Sequence, residues 1–333
     1  MDNITKSIYD LPWIEKYRPK VLNEIVGNKQ AINYLKQIRD NNDIPFLPDL
    51  LLYGPPGTGK TSSISALAHE LFGKDYPNHV LEINASDATS IYQVFTLINK
   101  YISTYTKKGI SSEIIIILDE FDSMSQSAQF YLASTLISKN NNIHFCLACN
   151  NLSNIISGLK EKCYLLPYKK LLTDDIYNRL LYIIKNENIK YTEQGLKDIV
   201  NNSQGDLRIA INNLQSVSIG YQIIDHDNVY KIMDIPKPED IQIIINYIKN
   251  RDLLNAINIS DNLINKKGFR IDDIIKQISK IIQDDNEISD NIKVNIKTIL
   301  LNYRSKMFEV GYSINLFNGM CDSISQLFNI NIS

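Results

Sequence analysis

The sequence predicts an α/β domain with a parallel sheet flanked by helices, then a small helical domain, then an all-helical one. Three observations predict this. Short apolar runs alternate with amphipathic stretches through the first half, a glycine-rich segment sits at one such junction, and strand-like runs stop after Pro167. Pro236 and Pro238 mark a second linker, so the expected domains are 1–167, 168–233 and 234–333.

Strands are expected at 50–53, 80–84, 114–119 and 143–150, with helices between them at 61–72, 91–104 and 127–139. Residues 114–118 are apolar at every position, which suits a strand buried on both faces in the middle of a sheet. Beyond Pro167, residues 173–186, 192–201 and 204–218 read as helices, the last with Asp206 placed to cap it. From Glu239 onward the pattern is helical throughout. Residues 271–282 carry more apolar surface than a thin bundle can hide, which leaves an oligomer interface and an internal core as equal alternatives.

The 333 residues are 44% hydrophobic, enough for a large core in two or three domains. With a net charge of -2 the chain has no overall cationic field, so any nucleic-acid contact must come from a local patch or from partner subunits. Residues 1–10 lack the apolar core of a signal peptide, and no run approaches roughly 18 apolar residues. A soluble, intracellular protein is expected. Cys146, Cys149, Cys163 and Cys321 are scattered, which fits a reducing compartment. Cys146 and Cys149 form a CxxC pair inside the apolar segment HFCLACN, without a second ligand pair, and read as buried strand residues.

The chemistry is concentrated in two segments. In DLLLYGPPGTGKT an apolar run stops at Tyr53 and delivers Gly54, Pro55, Pro56, Gly57, Thr58, Gly59, Lys60 and Thr61, followed by a helical pattern. A strand, a glycine loop, Lys-Thr and a helix in that order make a phosphate-binding loop: the curled backbone points amides at phosphate oxygens, and the helix N-terminus adds its positive end. Lys60 reaches the terminal phosphates, and Thr61 is a magnesium ligand. In ILDEFD an apolar strand ends in acids, so Asp119 and Glu120 emerge beside the loop. Asp119 would hold magnesium, mostly through water, and Glu120 would orient and activate an attacking water. The two segments predict NTP binding and hydrolysis and leave the biological task open.

WIEKYRPKVLNEIVGN at the start, LEINASD, IIILDEFDSMSQSAQ, FCLACNNLSNII and GDLRIAINNLQ extend these two motifs. In that order and spacing they resemble the small subunits of clamp loaders, the replication factor C family of AAA+ ATPases. The resemblance covers the first two domains almost continuously; the last hundred or so residues match only in being helical, as that family's collar is. It implies that Tyr17, Arg18, Pro19, Val26 and Gly27 border the adenine of ATP. It also implies that Asn84 can hold Glu120 away from water, that Asn150 positions water at the γ-phosphate, and that Arg208 is a lid residue touching the same phosphate. The helix at 91–104, with Phe95, Ile98 and Tyr101 near one face, is either a clamp contact or, as the periodicity favours, a sheet-facing core stripe.

The departures from the family pattern matter as much as the matches. Relatives carry Ser-Arg-Cys where this chain has Glu161, Lys162 and Cys163, and that Arg is the finger inserted into a neighbouring subunit's ATP site. Lys162 keeps the charge without the bidentate fork, and such fingers are worth about a thousandfold or more in turnover. This chain's own ATP site is served by another subunit. Relatives usually have Glu-Arg-Gly where this chain has Ala88, Thr89 and Ser90, two arginines at Ala133 and Ser134, and often Lys at Asn154; those positions face DNA or relay its presence to the ATP site, so weak direct DNA contact is expected. Lys107 and Lys108 could compensate, though they suit a solvated loop.

The resemblance thus implies a subunit of a hetero-oligomer, expected to be a pentamer. Such a complex uses ATP and magnesium to open a sliding clamp, load it on primer-template DNA during replication, and release it, with no membrane involved. A mainly structural subunit with little turnover and another AAA+ DNA-remodelling motor remain alternatives. Nucleus, prokaryotic cytoplasm and viral replication compartment are equally open.

Overall fold

The computed structural model describes residues 11–40, 47–86, 91–107, 113–138, 142–311 and 313–329. Asp87, Ala88, Thr89, Ser90 and Lys108, and the side chain of Lys107, lie outside the described residues, as do residues 1–10. The chain divides into two compact units, residues 1–226 and 227–333.

The first unit opens with α1 (Trp13–Lys16), α2 (Lys29–Asp40), β1 (Leu50–Tyr53), α3 (Lys60–Phe72) and α4 (Tyr76–His79). β2 (Val80–Asn84), α5 (Ile91–Lys107), β3 (Ile114–Asp119), α6 (Gln126–Ser138), β4 (Ile143–Cys149), α7 (Ser157–Lys160) and β5 (Tyr164–Pro167) complete the α/β layer. The five strands lie in the order β2-β3-β4-β1-β5, and every neighbouring pair is parallel. Side chains of a strand alternate between faces, so a strand apolar at every position feeds two cores. Ile114, Ile116 and Leu118 of β3 pack with Val94 and Ile98 of α5 and Leu132 of α6. Ile115 and Ile117 pack on the opposite face with Ile32 and Leu35 of α2 and Ile64 and Leu67 of α3. Each fully buried Ile or Leu contributes about 1.5–3 kcal/mol, which makes β3 the anchor of the sheet.

That arrangement decides one alternative. Phe95 and Ile98 are buried and Tyr101 packs partly against the same core, so the stripe on α5 faces the sheet. The strands depart from expectation in two places, and the helices α1, α2, α4 and α7 were not expected either. β5 escapes the pattern because it is an edge strand with only Leu166 buried, a place where Pro167 is tolerated. Strands also do not stop at Pro167. After α8 (Thr173–Glu187), the two-residue β6 (Lys190–Tyr191) pairs in parallel with β7 (Ile223–Ile224), bracketing α9 (Glu193–Ser203) and α10 (Leu207–Gly220). Two residues are too few to register as a period-2 run.

The second unit contains α11 (His226–Met233), α12 (Pro238–Lys249), α13 (Leu253–Asp261), α14 (Ile271–Asp284), α15 (Asp290–Val310) and α16 (Ile314–Asn329). Ile271, Ile274, Ile275, Ile278 and Ile282 of α14 are buried against Ile241 and Ile245 of α12, Ile296 and Leu300 of α15, and Phe317 and Ile324 of α16. The apolar stripe at 271–282 therefore forms the core of its own unit. Among the described residues, no helix is long and apolar enough to cross a membrane.

Candidate nucleotide site

Parallel strands place their carboxyl ends on one edge of the sheet, and three of those ends converge here. β4 lies between β3 and β1, with Tyr53 paired to Cys149 and the Gly54 amide donating to the Cys149 carbonyl at 3.2 Å. Gly54 to Gly59 then curl into the start of α3, whose first intrahelical bond runs from the Ser63 amide to the Gly59 carbonyl. The amides of Lys60, Thr61 and Ser62 precede that bond and form the open positive end of the helix. Lys60 folds back into the curl: its Nζ donates to the Gly54 carbonyl at 2.7 Å, the Pro55 carbonyl at 2.8 Å and Asn150 Oδ1 at 2.9 Å. Burial depresses the Lys60 pKa below the ordinary lysine value, with Asp119 opposing the shift.

Asp119, the last residue of β3, accepts from Thr61 Oγ1 at 2.7 Å through Oδ2 and from the Glu120 amide at 2.9 Å through Oδ1. Glu120 follows with φ +50, a left-handed conformation that costs a non-glycine residue about 1–2 kcal/mol and is concentrated at functional turns. Asn150 leaves β4 one residue sooner than the apolar run suggests, and its amide donates to Asp122 Oδ2 at 3.2 Å. Asp122 also accepts from the Asn151 amide at 2.9 Å, so it orients the turn carrying Asn150. Sequence reading passed over Asp122 although it lies within ILDEFD. Asn84 Oδ1 accepts from the Ser86 amide at 3.0 Å and its hydroxyl at 2.9 Å.

Tyr17, Arg18, Pro19, Val26, Gly57, Thr58, Gly59, Lys60, Thr61, Asp119, Glu120, Asn150 and Arg208 all line one cleft. Gly54, Pro55 and Pro56 are not among the residues lining it, and Gly27 lines a second groove together with Arg179 and Tyr182. Ile14, Ile25, Leu171, Leu207 and Ile211 give the cleft apolar lining, alongside the lysine, carboxylates and open amides of the loop and strand ends. A lining of both kinds suits a ligand that combines a flat ring with phosphates. Arg208 arrives on α10, capped by Asp206, whose Oδ1 accepts from the Arg208 amide at 2.8 Å and the Ile209 amide at 3.3 Å. The Leu207 amide donates to the Gly57 carbonyl at 3.2 Å, joining this helix to the phosphate loop. Arg179 also lines the cleft, and no motif singles it out.

The hydroxyl of Thr61 and the carboxylate of Asp119 form a hard oxygen pair beside the lysine, a donor set that suits a hydrated magnesium ion. Lys162 lies outside the cleft, in the turn after α7, and its Nζ donates to the Ala133 carbonyl at 3.1 Å. Cys146 and Cys149 are buried in β4; burial pushes the Cys149 thiol up to about 12, so it stays protonated.

Comparisons with known proteins agree with this geometry. Residues 50–165 match the ATPase family associated with various cellular activities (AAA), residues 178–219 the RCF1/5-like AAA+ ATPase lid domain, and residues 236–312 the replication factor C C-terminal domain. The chain is 39% identical over 308 residues to replication factor C subunit 4 of Saccharomyces cerevisiae, covering 92% of this chain and 93% of that protein. Against the replication factor C small subunit of Sulfolobus acidocaldarius it is 35% identical over 299 residues, covering 90% and 89%. Among solved structures, the Thermotoga maritima RuvB Holliday junction branch migration motor superposes with a TM-score of 0.54 at 16% identity, covering 79% of this chain and 91% of that one. That likeness concerns the fold alone. Identity of this extent across both units, joined to a nucleotide cleft of AAA design, makes the chain a member of the replication factor C subunit family of AAA ATPases.

Proposed function

We propose that this chain is a small subunit of a clamp loader, in which ATP binding holds a sliding clamp open and hydrolysis releases it on primer-template DNA during replication. One observation carries the reading: Lys60, Thr61, Asp119, Glu120 and Asn150 share a single cleft with the lid residue Arg208. The chain's membership of the replication factor C family supplies the biological context.

In this reading the triphosphate lies in the curl at 54–61, and Lys60 reaches its terminal phosphates. Thr61 and Asp119 hold magnesium, which when bound neutralises charge on the phosphates. Glu120 orients the attacking water and takes its proton, while Asn150 and Arg208 address the γ-phosphate. Tyr17, Arg18, Pro19, Val26 and Gly27 border the base. ATP touching both the α/β layer and the lid would favour one lid orientation, and loss of the γ-phosphate would remove that preference. The three-part division at 167 and 233 belongs to the same proposal, with the last part serving as the collar of a heteropentamer. DNA contact by this subunit is weak, because Ala133 and Ser134 offer no charge to phosphates.

The test is a reconstituted complex carrying Glu120→Gln in this subunit alone, assayed for clamp- and DNA-stimulated ATPase. A reduced rate is expected. An unchanged rate would identify a scaffold subunit that binds ATP without useful turnover. Failure to co-purify with sister subunits and a sliding clamp, together with a closed homohexamer, would overturn the loader reading.

A further inference from the structure

We propose that Arg179, on α8, is a positioning residue for the base end of the cleft: it fastens residues 17–19 to the lid so that binding of the nucleoside depends on it and binding of the phosphates does not. This rests on the nucleotide reading of the cleft.

Arg179 is half-buried and lines the cleft alongside Tyr17 and Pro19. Its Nη2 donates to the Tyr17 carbonyl at 2.7 Å, a contact spanning 162 positions of sequence. The guanidinium carbon lies 5.1 Å from the Tyr182 ring centroid, and the Tyr17 ring meets Tyr182 edge-on at 6.2 Å and 87°. Further along α8, Glu187 accepts from Lys16 Nζ at 2.5 Å and from the Tyr17 hydroxyl. Positions 179, 182 and 187 lie on one broad side of α8, spread over about 140° at 3.6 residues per turn, and together they grip residues 16 and 17 from side chain and backbone.

The cation is placed at a cost. Among the described residues its hydrogen-bond partner is a neutral carbonyl, Glu24 acts on it only at longer range, and burial depresses its pKa. A guanidinium in that setting is suited to holding a backbone segment in a fixed place, because its planar fork is pre-organised and can lie over an aromatic ring while donating. The segment it holds lines the cleft together with the apolar Ile14, Val26 and Ile211, and comes from a different part of the chain from the phosphate curl that carries Lys60. A shift of that wall changes the slot for a ring and leaves the phosphate curl, built on β1 and α3, where it is.

The experiment uses the full-length chain with Arg179→Gln and Arg179→Lys, and two probes with magnesium: a fluorescent non-hydrolysable ATP analogue and inorganic tripolyphosphate as its competitor. Arg179→Gln is expected to weaken the ATP analogue about tenfold, the scale of one charge-assisted hydrogen bond, with tripolyphosphate affinity unchanged. Arg179→Lys, which can donate to the carbonyl but cannot also lie over Tyr182, should fall between. Equal weakening of both probes would mean general loosening of the unit and would overturn the proposal, as would no change in either. If the unaltered chain binds neither probe, the nucleotide reading itself fails.

Discussion

Replacing Gly57 with Ala tests whether the phosphate loop and the lid helix are packed as described. Gly57 has φ +68, and a Cβ there would lie 1.7 Å from Asp206 Oδ1 and 2.0 Å from its Cγ. That carboxylate caps α10, and the Leu207 amide beside it bonds the Gly57 carbonyl, so the methyl group fits only if the Asp206 carboxylate gives up its cap. Left-handed strain costs about 1–2 kcal/mol. Pushing Asp206 out of its capping position costs about 1 kcal/mol more. Gly59→Ala is the internal control: its φ is +92, but the nearest atom to its Cβ would be Ile25 Cγ2 at 3.6 Å, an ordinary contact, so only the strain applies. For a unit of this size each kcal/mol shifts the midpoint by about 2–4 °C. Thermal unfolding of the full-length chain should therefore rank wild type above Gly59→Ala and Gly59→Ala above Gly57→Ala, the last step being about 2–4 °C. Should Gly57→Ala unfold no earlier than Gly59→Ala, Asp206 is not wedged against the loop and the coupling through Gly57 is wrong.

Four further outcomes are expected. Lys60→Ala should weaken tripolyphosphate binding tenfold or more, on the scale of a hydrogen bond between charged groups. Because burial holds the Lys60 pKa below its unfolded value of 10.5, its ammonium disfavours the folded state until pH rises towards 10.5, and phosphate affinity should fall below the pH at which an ordinary lysine titrates; a wild-type profile flat to 10.5 would contradict this. In the second unit, burial alone would raise the Asp272 pKa, but Lys276 and Arg304, each at 2.6 Å, outweigh it and hold the carboxyl below 3.8. Its contribution is present above 3.8 and lost as pH falls through the folded value, so Asp272→Asn should cost about 1 kcal/mol near neutrality and nothing in strong acid, read from urea midpoints across pH. Lys162→Arg should raise ATPase of the assembled complex if the facing site is active; no change would mean that the facing site is silent or that Lys suffices.

What was legible in the sequence was what burial on two faces dictates. β1 and β3 follow their apolar runs, because a central parallel strand has no polar alternation to blur its limits. β5 was not legible, since an edge strand with one buried side chain has no such run. Within the cleft, Lys60, Thr61 and Asp119 follow from spacing alone: strand, loop and helix leave them few places to go. Arg179 does not follow, because a cation on an amphipathic helix looks like a solvated face until the N-terminal segment packs back on it. Asp122 is intermediate, an acid inside a recognised motif whose partner, the Asn150 amide, lies 28 positions away.

Lys162 and Ala133 illustrate how residue types can be legible while their consequence is not. From the sequence these are two separate departures from the family pattern, a lysine in place of a finger arginine and an alanine in place of a helix arginine. In the fold they meet: the Lys162 ammonium rests on the Ala133 carbonyl of α6. A bulky arginine at 133 would compete for that space and bring a repelling charge to it. With alanine there, the lysine has a local partner that any outward reach towards a neighbouring subunit must first give up. A charge with a stable contact in its own chain contributes less across an interface than its sign suggests. Restoring the fork with Lys162→Arg alone therefore tests only half of the change, and Ala133→Arg in the same chain, by removing the resting place, should enlarge whatever gain the first substitution produces.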